Sequence, residues 1–160
     1  MRGRSSLFWL GLFGTLLLLE SIASAAATLP TGDYCWAVTV RRNDKPGSGE
    51  FAAKMHLAKV DSSVGTVFGY ASVAGDNPCI FSGTYSQVGN SIYMNLVSTQ
   101  NHKGSEAAWK DSGVMQVILS ASTLNGSLYA ISHDYDTDTN EFSGEYTTGT
   151  LERKDLNYCD

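Results

Sequence analysis

Positive charge is scarce in this chain, and so are the residues that build most catalytic and metal centres. Among its 160 residues, 11 lysines and arginines stand against 16 aspartates and glutamates, with only three histidines, three cysteines and three prolines. Proteins that bind nucleic acid gather Lys and Arg on one face. We therefore expect no nucleic-acid partner. Because no carboxylate pair or Cys-His spacing is typical of an active site, we also expect binding without covalent chemistry.

Long apolar runs are missing beyond the N-terminal region. Arg2 and Arg4 precede an apolar stretch over residues 7–19, and Ala23-Ser24-Ala25 offers small residues suited to signal cleavage. A membrane-spanning helix needs about 20 apolar residues, so we predict no membrane span. We interpret residues 1–25 as a secretion signal peptide and 26–160 as a single β-barrel domain, secreted or periplasmic. Removing the signal leaves 9 basic and 15 acidic residues, a formal charge of −6.

What the rest of the chain does contain is a series of short alternating segments separated by turn-forming residues. The predicted strands span residues 34–42, 51–60, 66–73, 79–87, 91–100, 113–122, 127–135 and 142–152. Eight hairpin-linked strands of even spacing predict an all-β fold, an eight-stranded antiparallel up-and-down barrel. A two-sheet β-sandwich is the alternative.

The three cysteines have different places in this predicted barrel. When a barrel closes, the start of the first strand and the end of the last lie at the same rim. Cys35 and Cys159 occupy these places, whereas Cys79 opens the fourth strand at the opposite rim. We therefore predict a disulfide between Cys35 and Cys159 and a free Cys79. Three free, buried thiols are the alternative.

The pentapeptide Phe-Ser-Gly-x-Tyr occurs twice, at residues 81–85 and 142–146. Alternation puts Phe, Gly and Tyr of each copy on one face, and glycine facing into a small barrel relieves the strain of coiling. We place that face inside for both copies. The predicted interior set, which would bind a small and largely apolar ligand, is Trp36, Met55, Phe81, Tyr85, Phe142 and Tyr146. A solid packed core is the alternative.

The sixth strand is apolar on both faces. Val114 and Ile118 point one way, while Met115, Val117 and Leu119 point the other. Such a strand predicts that something covers the outside, either the long connection containing Trp109 or a second subunit of a homo-oligomer. The same connection supports an alternative function, a protein-binding module such as a hydrolase inhibitor that uses its rim loops on an exposed partner protein.

An acidic segment separates the last two strands. Asp134, Asp136 and Asp138, with Asn140 and Glu145, match the ligand positions of a calcium loop. Thr139 stands where such loops need glycine, and a simple hairpin turn is the alternative reading. We predict no other cofactor.

A second alternative function is a barrel enzyme around His133. A histidine that acts as a general base needs a partner group on its own side of the strand. Neighbouring strand residues point to opposite faces, so only Tyr135 shares a side with His133, and Asp134 does not.

In strand number and order, the chain resembles the calycin group, the lipocalin and avidin-like barrels. Phe81-Ser82-Gly83-Thr84-Tyr85 is similar to the strand of avidin-like proteins whose tyrosine lines the ligand cavity. The resemblance implies an interior ligand site. It does not imply biotin, because avidin-like proteins surround biotin with several tryptophans and only Trp36 and Trp109 follow the signal peptide.

Overall fold

The computed structural model describes residues 29–43, 47, 49–103 and 108–160. Eight antiparallel strands form a closed barrel in which each strand pairs with its neighbours in sequence and the last pairs with the first. The strands are β1 Tyr34–Arg42, β2 Glu50–Asp61, β3 Thr66–Ser72, β4 Cys79–Val88, β5 Ser91–Asn101, β6 Trp109–Ser120, β7 Gly126–Asp136 and β8 Glu141–Lys154. The predicted up-and-down barrel is therefore confirmed, and the alternative two-sheet sandwich is wrong. The predicted signal peptide lies outside the described residues.

Strand bounds agree with the sequence patterns except in β6. This strand begins at Trp109, four residues earlier than predicted, because Lys110 pairs with both Asn101 of β5 and Tyr135 of β7. The polar residues at its start give no strand signal by themselves. A short 3-10 helix, Leu156–Tyr158, follows β8. Within the described ranges, no helix has the length and apolar character needed to cross a membrane.

A tightly packed core fills one end of the barrel, which we call the closed end. Trp36, Met55 and Phe81 point inward and are at most 1% exposed. The Tyr85 hydroxyl donates to the Leu29 carbonyl at 3.0 Å, and the Trp36 indole N–H donates to the Leu124 carbonyl at 2.6 Å. Buried polar groups need such partners. The predicted inward placement of Trp36, Met55, Phe81 and Tyr85 is confirmed.

The C-terminal tail is fastened to the outside of β1. Cys35 and Cys159 form the predicted disulfide, with 5.9 Å between their Cα atoms, and Cys79 is free. Nearby, the Arg153 guanidinium lies 4.9 Å from the centre of the Tyr34 ring and donates to the Cys35 carbonyl. A disulfide is compatible with an extracellular or periplasmic location.

The predicted interior placement of the second pentapeptide is wrong. Phe142 is 76% exposed and Tyr146 is 43% exposed, on the outside of β8. The reason is the register, in which Leu151 of β8 lies opposite the inward-facing Val38 of β1. Side chains alternate with period two, so a strand that buries Leu151 turns Glu145 inward and Tyr146 outward.

Candidate functional site

The inward side chains change in character from one end of the barrel to the other. The open end is the rim formed by the connections 43–49, 73–78, 102–108 and 137–140. Three paired rows across the strands, read inward from this rim, are Gln100-Asp111-Asp134, then Ser98-Gly113-Ser132-Glu145, then Leu96-Met115-Ala130-Thr147. The interior is therefore charged at the rim, small in the middle and large and apolar at the closed end.

The inward side chains in the middle of the barrel are small. We call this region the chamber, and the inward residues that line it are Ala71, Cys79, Ser98, Gly113, Ala130 and Ser132. All six are partly exposed although they face inward, whereas Trp36 and Phe81 below them are buried. The packed core lies next to the chamber and forms its floor.

Two carboxyl groups face each other at the entrance to the chamber. Asp111 of β6 and Asp134 of β7 are directly paired across the strands. Asp134 is only 9% exposed, and burial, reinforced by the negative charges of Asp111 and Glu145, raises its pKa to about 6. Near neutral pH, this site can therefore both accept and donate hydrogen bonds.

A partly buried ion pair adjoins these carboxyls. Arg42, at the end of β1, forms a salt bridge with Glu145 of β8, whose side chain is 14% exposed. The positive charge of Arg42 also opposes the rise in the Asp134 pKa. Glu145 belongs to the second pentapeptide, so the same register that turns its aromatic residues outward brings this charge inside.

His102 links two acidic residues of the open rim. Its Nε2 lies 2.7 Å from Asp111 Oδ2, and its Nδ1 contacts Asp76 Oδ2. Burial alone would lower the pKa of His102, but the hydrogen bonds and charges of the two carboxylates together raise it. Sequence reasoning did not identify His102 as part of a site. Its partners are 26 and 9 residues away, and no local motif marks them.

Gln100 completes this side of the rim. Its Nε2 donates to Asp76 Oδ2 at 3.0 Å and to the Asn77 carbonyl at 2.8 Å. The connection between β3 and β4 is thereby held against β5. These bonds fix the width of the entrance at that side.

Cys79 lies on the wall of the chamber. Burial raises the pKa of its thiol, and the negative charge of Asp111 acts in the same direction. A thiol that resists ionisation is a poor nucleophile. Cys79 therefore contributes a small, weakly polar surface to the wall.

The acidic segment has the geometry of a hairpin turn. Asp136 Oδ1 accepts hydrogen bonds from the backbone amides of Asp138, at 2.9 Å, and Thr139, at 3.4 Å. In the part of the chain that the structure describes, no three His, Cys, Asp or Glu side chains form a group that could hold a metal ion. These hydrogen bonds support the turn interpretation for Asp136 and Asp138, whereas Asp134 lies within β7 and faces the interior. Calcium binding by Asp134, Asp136 and Asp138 stays a prediction.

His133 lies on the outside of the barrel, between Ser112 of β6 and Gly144 of β8. Tyr135 shares that face and packs its ring 4.6 Å from the Phe142 ring, centre to centre. Asp134 faces the interior. His133 and Asp134 therefore point to opposite faces and form no acid–base pair. A barrel enzyme around His133 stays a prediction.

The rim-loop alternative depended on the connection between β5 and β6. Residues 104–107 of this connection lie outside the described residues, and Trp109 belongs to β6. Protein binding through this loop stays a prediction.

Comparison with protein-family models, with curated proteins and with solved structures finds no match for the chain. The closed barrel of eight antiparallel strands is compatible with a calycin-like architecture. The likeness to that group consists of strand number, strand order and closure.

Proposed function

We propose that the protein is an exported, calycin-like barrel that binds a small, largely apolar molecule in the chamber, without covalent chemistry. Support comes from one contrast inside the barrel. The inward residues of the closed end are packed to 3% exposure or less at Trp36, Met55 and Leu151, whereas the chamber residues above them stay accessible to solvent. Binding sites for small molecules are concave, mostly apolar and equipped with a few oriented polar groups.

The walls indicate how such a molecule would lie. Ala71, Ala130 and Gly113 offer a smooth apolar surface, and Ser98 and Ser132 add hydroxyl groups. Apolar parts of the ligand would pack in this region. A polar group of the ligand would remain near the entrance, where it could exchange hydrogen bonds with the carboxyls that are otherwise costly to bury.

The floor sets the depth that the ligand can reach. Phe81 of β4 is paired with Ser98 of β5, so its ring lies beside the hydroxyl-lined part of the wall, and at 1% exposure it belongs to the packed floor. Of the six residues predicted to contact the ligand, Trp36, Met55, Phe81 and Tyr85 therefore lie at or beneath the floor. Phe142 and Tyr146 are excluded because they face outward.

Native mass spectrometry of the protein purified from its own source tests the proposal. We expect a bound small molecule that leaves on denaturation. A variant that fills the chamber, Ala71→Leu, should lose that molecule. Its matched control is Ser72→Leu on the outer face of the same strand, opposite Lys54 of β2.

Far-UV circular dichroism shows whether both variants keep the barrel. If Ala71→Leu folds and retains the bound mass as well as Ser72→Leu does, the chamber is not the binding site. If the native protein carries no small molecule and binds none from extracts of its source, interior ligand binding is wrong.

A further inference from the structure

One side of the described outer surface carries no Asp, Glu, Lys or Arg side chain, and its histidine, His133, lies at the end nearer the open rim. We call this side the uncharged face. It consists of the outward-facing side chains within residues 93–99, 112–118, 127–133 and 144–150, on β5 to β8. The outer surface of β1 and β2 differs, since it presents Arg41, Glu50, Lys54 and Lys59. The chain as a whole has 17% charged residues, so the absence of Asp, Glu, Lys and Arg from the outward positions of these four segments is a local property.

The centre of the uncharged face is apolar. Val97, Val114, Ile131 and Tyr146 lie directly opposite one another across the four strands and are 43–60% exposed. Two shallow grooves run beside Val114 and Ile131. Monomeric proteins rarely expose contiguous apolar patches of more than a few hundred Å². A row of this kind therefore indicates a contact surface.

Within residues 29–43, 47, 49–103 and 108–160, no segment covers this face. The internal segments outside the described residues contain at most four residues, which span no more than about 14 Å when extended. The N-terminal segment enters at Leu29, which is buried at the closed end beside Tyr85. The C-terminal tail is fixed to β1 by the Cys35–Cys159 disulfide.

We propose that a second copy of this chain covers the uncharged face, in a two-fold symmetric dimer. In such a contact the same patch meets itself, so any charge near the axis would face a like charge. The uncharged face has none. Its polar groups, among them Asn95, Gln116 and Thr148, belong to side chains that can both donate and accept a hydrogen bond, which suits contact with identical groups.

The size of the face agrees with this occupant. Four strands about 4.8 Å apart, over about nine residues of about 3.3 Å each, give a face of roughly 20 by 30 Å. Because side chains make this surface uneven, its accessible area exceeds the flat area and is close to the ~800 Å² that each partner buries in an interface of standard size. The acidic charge of the chain lies mainly at the rims and inside, so two copies can approach here without strong repulsion.

Sedimentation equilibrium of the exported, processed protein over a wide range of concentrations tests the dimer. We expect a monomer–dimer equilibrium in the wild type. Ile131→Lys places two like charges in the contact and should weaken association by at least about tenfold. Val88→Lys is the matched control, because Val88 is also an exposed apolar strand residue, 68% exposed against 52% for Ile131, and lies at the end of β4 outside the uncharged face. It should leave the dimer unchanged.

Val114→Glu repeats the test with the opposite charge in case Ile131→Lys does not fold. A monomeric wild type at the highest concentration overturns the proposal, and so does a dimer that survives both substitutions in folded protein. Growth into species larger than a dimer also overturns it, because a two-fold contact is closed. Binding of the monomer to lipid vesicles, abolished by Ile131→Lys, would assign the face to a membrane surface instead.

Discussion

The two Phe-Ser-Gly-x-Tyr segments point their aromatic side chains to opposite faces of the barrel wall. In β4 the phenylalanine and tyrosine are buried, with Phe81 at 1% and Tyr85 at 8% exposure. In β8 the equivalent Phe142 and Tyr146 face solvent, and Glu145 faces the interior instead. Four of the five residues are identical, so local sequence does not explain the difference.

The difference follows from the residues with which each strand is paired on its neighbouring strands. β4 pairs Phe81 with Gly69, whose lack of a side chain leaves room for the ring. β8 is held between β1 and β7, with Leu151 opposite Val38 and Gly126. In a strand, burying one side chain fixes the side of every other. A motif of alternating residues thus acquires its inner and outer faces from the register of the neighbouring strands.

The largest expected contrast is between the two phenylalanines. Phe81→Ala empties a site in the packed core and should lower the free energy of unfolding by about 3–5 kcal/mol. Phe142→Ala removes an exposed ring and should change it by about 0.5 kcal/mol or less. Denaturant unfolding at low protein concentration, where association does not contribute, measures both. Similar losses in the two variants would contradict the opposite orientations.

The two glycines should differ next most strongly. A Cβ on Gly83 would lie 2.0 Å from the Asn95 carbonyl oxygen, so Gly83→Val requires the strands to move apart. We expect a loss of about 3 kcal/mol. A Cβ on Gly144 would meet only His133 Nδ1 at 4.0 Å, and Gly144→Val should be nearly neutral. The melting temperatures of the two variants provide the test. A large decrease for Gly144→Val would indicate that the aromatic residues of β8 face inward after all.

A smaller contrast is expected for the tyrosines. Tyr85→Phe leaves the buried Leu29 carbonyl without its donor and should cost about 1 kcal/mol. Tyr146→Phe removes a hydroxyl from an exposed ring, and we expect no measurable change. Urea titrations of both variants give the comparison. Equal effects would mean that the hydroxyl of Tyr85 does not hold the N-terminal segment in place.

The smallest expected effect concerns Asp134, whose pKa is raised first by burial and then by the nearby charges of Asp111 and Glu145. Because the pKa of Asp134 is raised to about 6 in the folded protein, the folded state binds this proton more tightly than the unfolded state does. Stability should therefore fall as pH rises from about 4 to about 6. Asp134→Asn should reduce that slope and stabilise the protein at neutral pH by about 1 kcal/mol or less.

Melting temperatures of wild type and Asp134→Asn across this pH range provide the measurement. His102 contributes with the same sign at higher pH, because its raised pKa gives stability that is lost as pH rises through it. His102→Gln therefore serves as a control that leaves the slope below pH 6 in place. An unchanged slope in Asp134→Asn would show that Asp134 does not carry the proton.

Sequence patterns predicted the architecture because strand number and order depend on local signals. Alternation and turn residues located all eight strands, and β1 was predicted to the residue. The disulfide was predicted from closure, since Cys35 lies at the start of β1 and Cys159 lies in the short tail after β8, at the rim where the two strands meet. Inward placement of Phe81 and Tyr85 succeeded because aromatic and glycine residues of β4 agree on one face.

The same patterns failed in β8, where they conflict. Phe142 and Tyr146 favour one face and Leu151 favours the other, and sequence alone does not rank them. Leu151 could have served as a signal, together with Glu145 between the aromatics. The charged entrance was also missed, because Asp76, His102 and Asp111 come from three separate parts of the chain.

By itself, the sequence determined that this chain forms eight strands in order, closes them into a barrel and joins its ends through Cys35 and Cys159. These features depend on near neighbours along the chain and on the geometry common to all closed barrels. Only the tertiary structure decided which face of β8 is buried, which carboxyls meet at the entrance and which outer face is left without charge. Each of these depends on the register between strands distant in sequence, where a shift of one residue exchanges inside for outside.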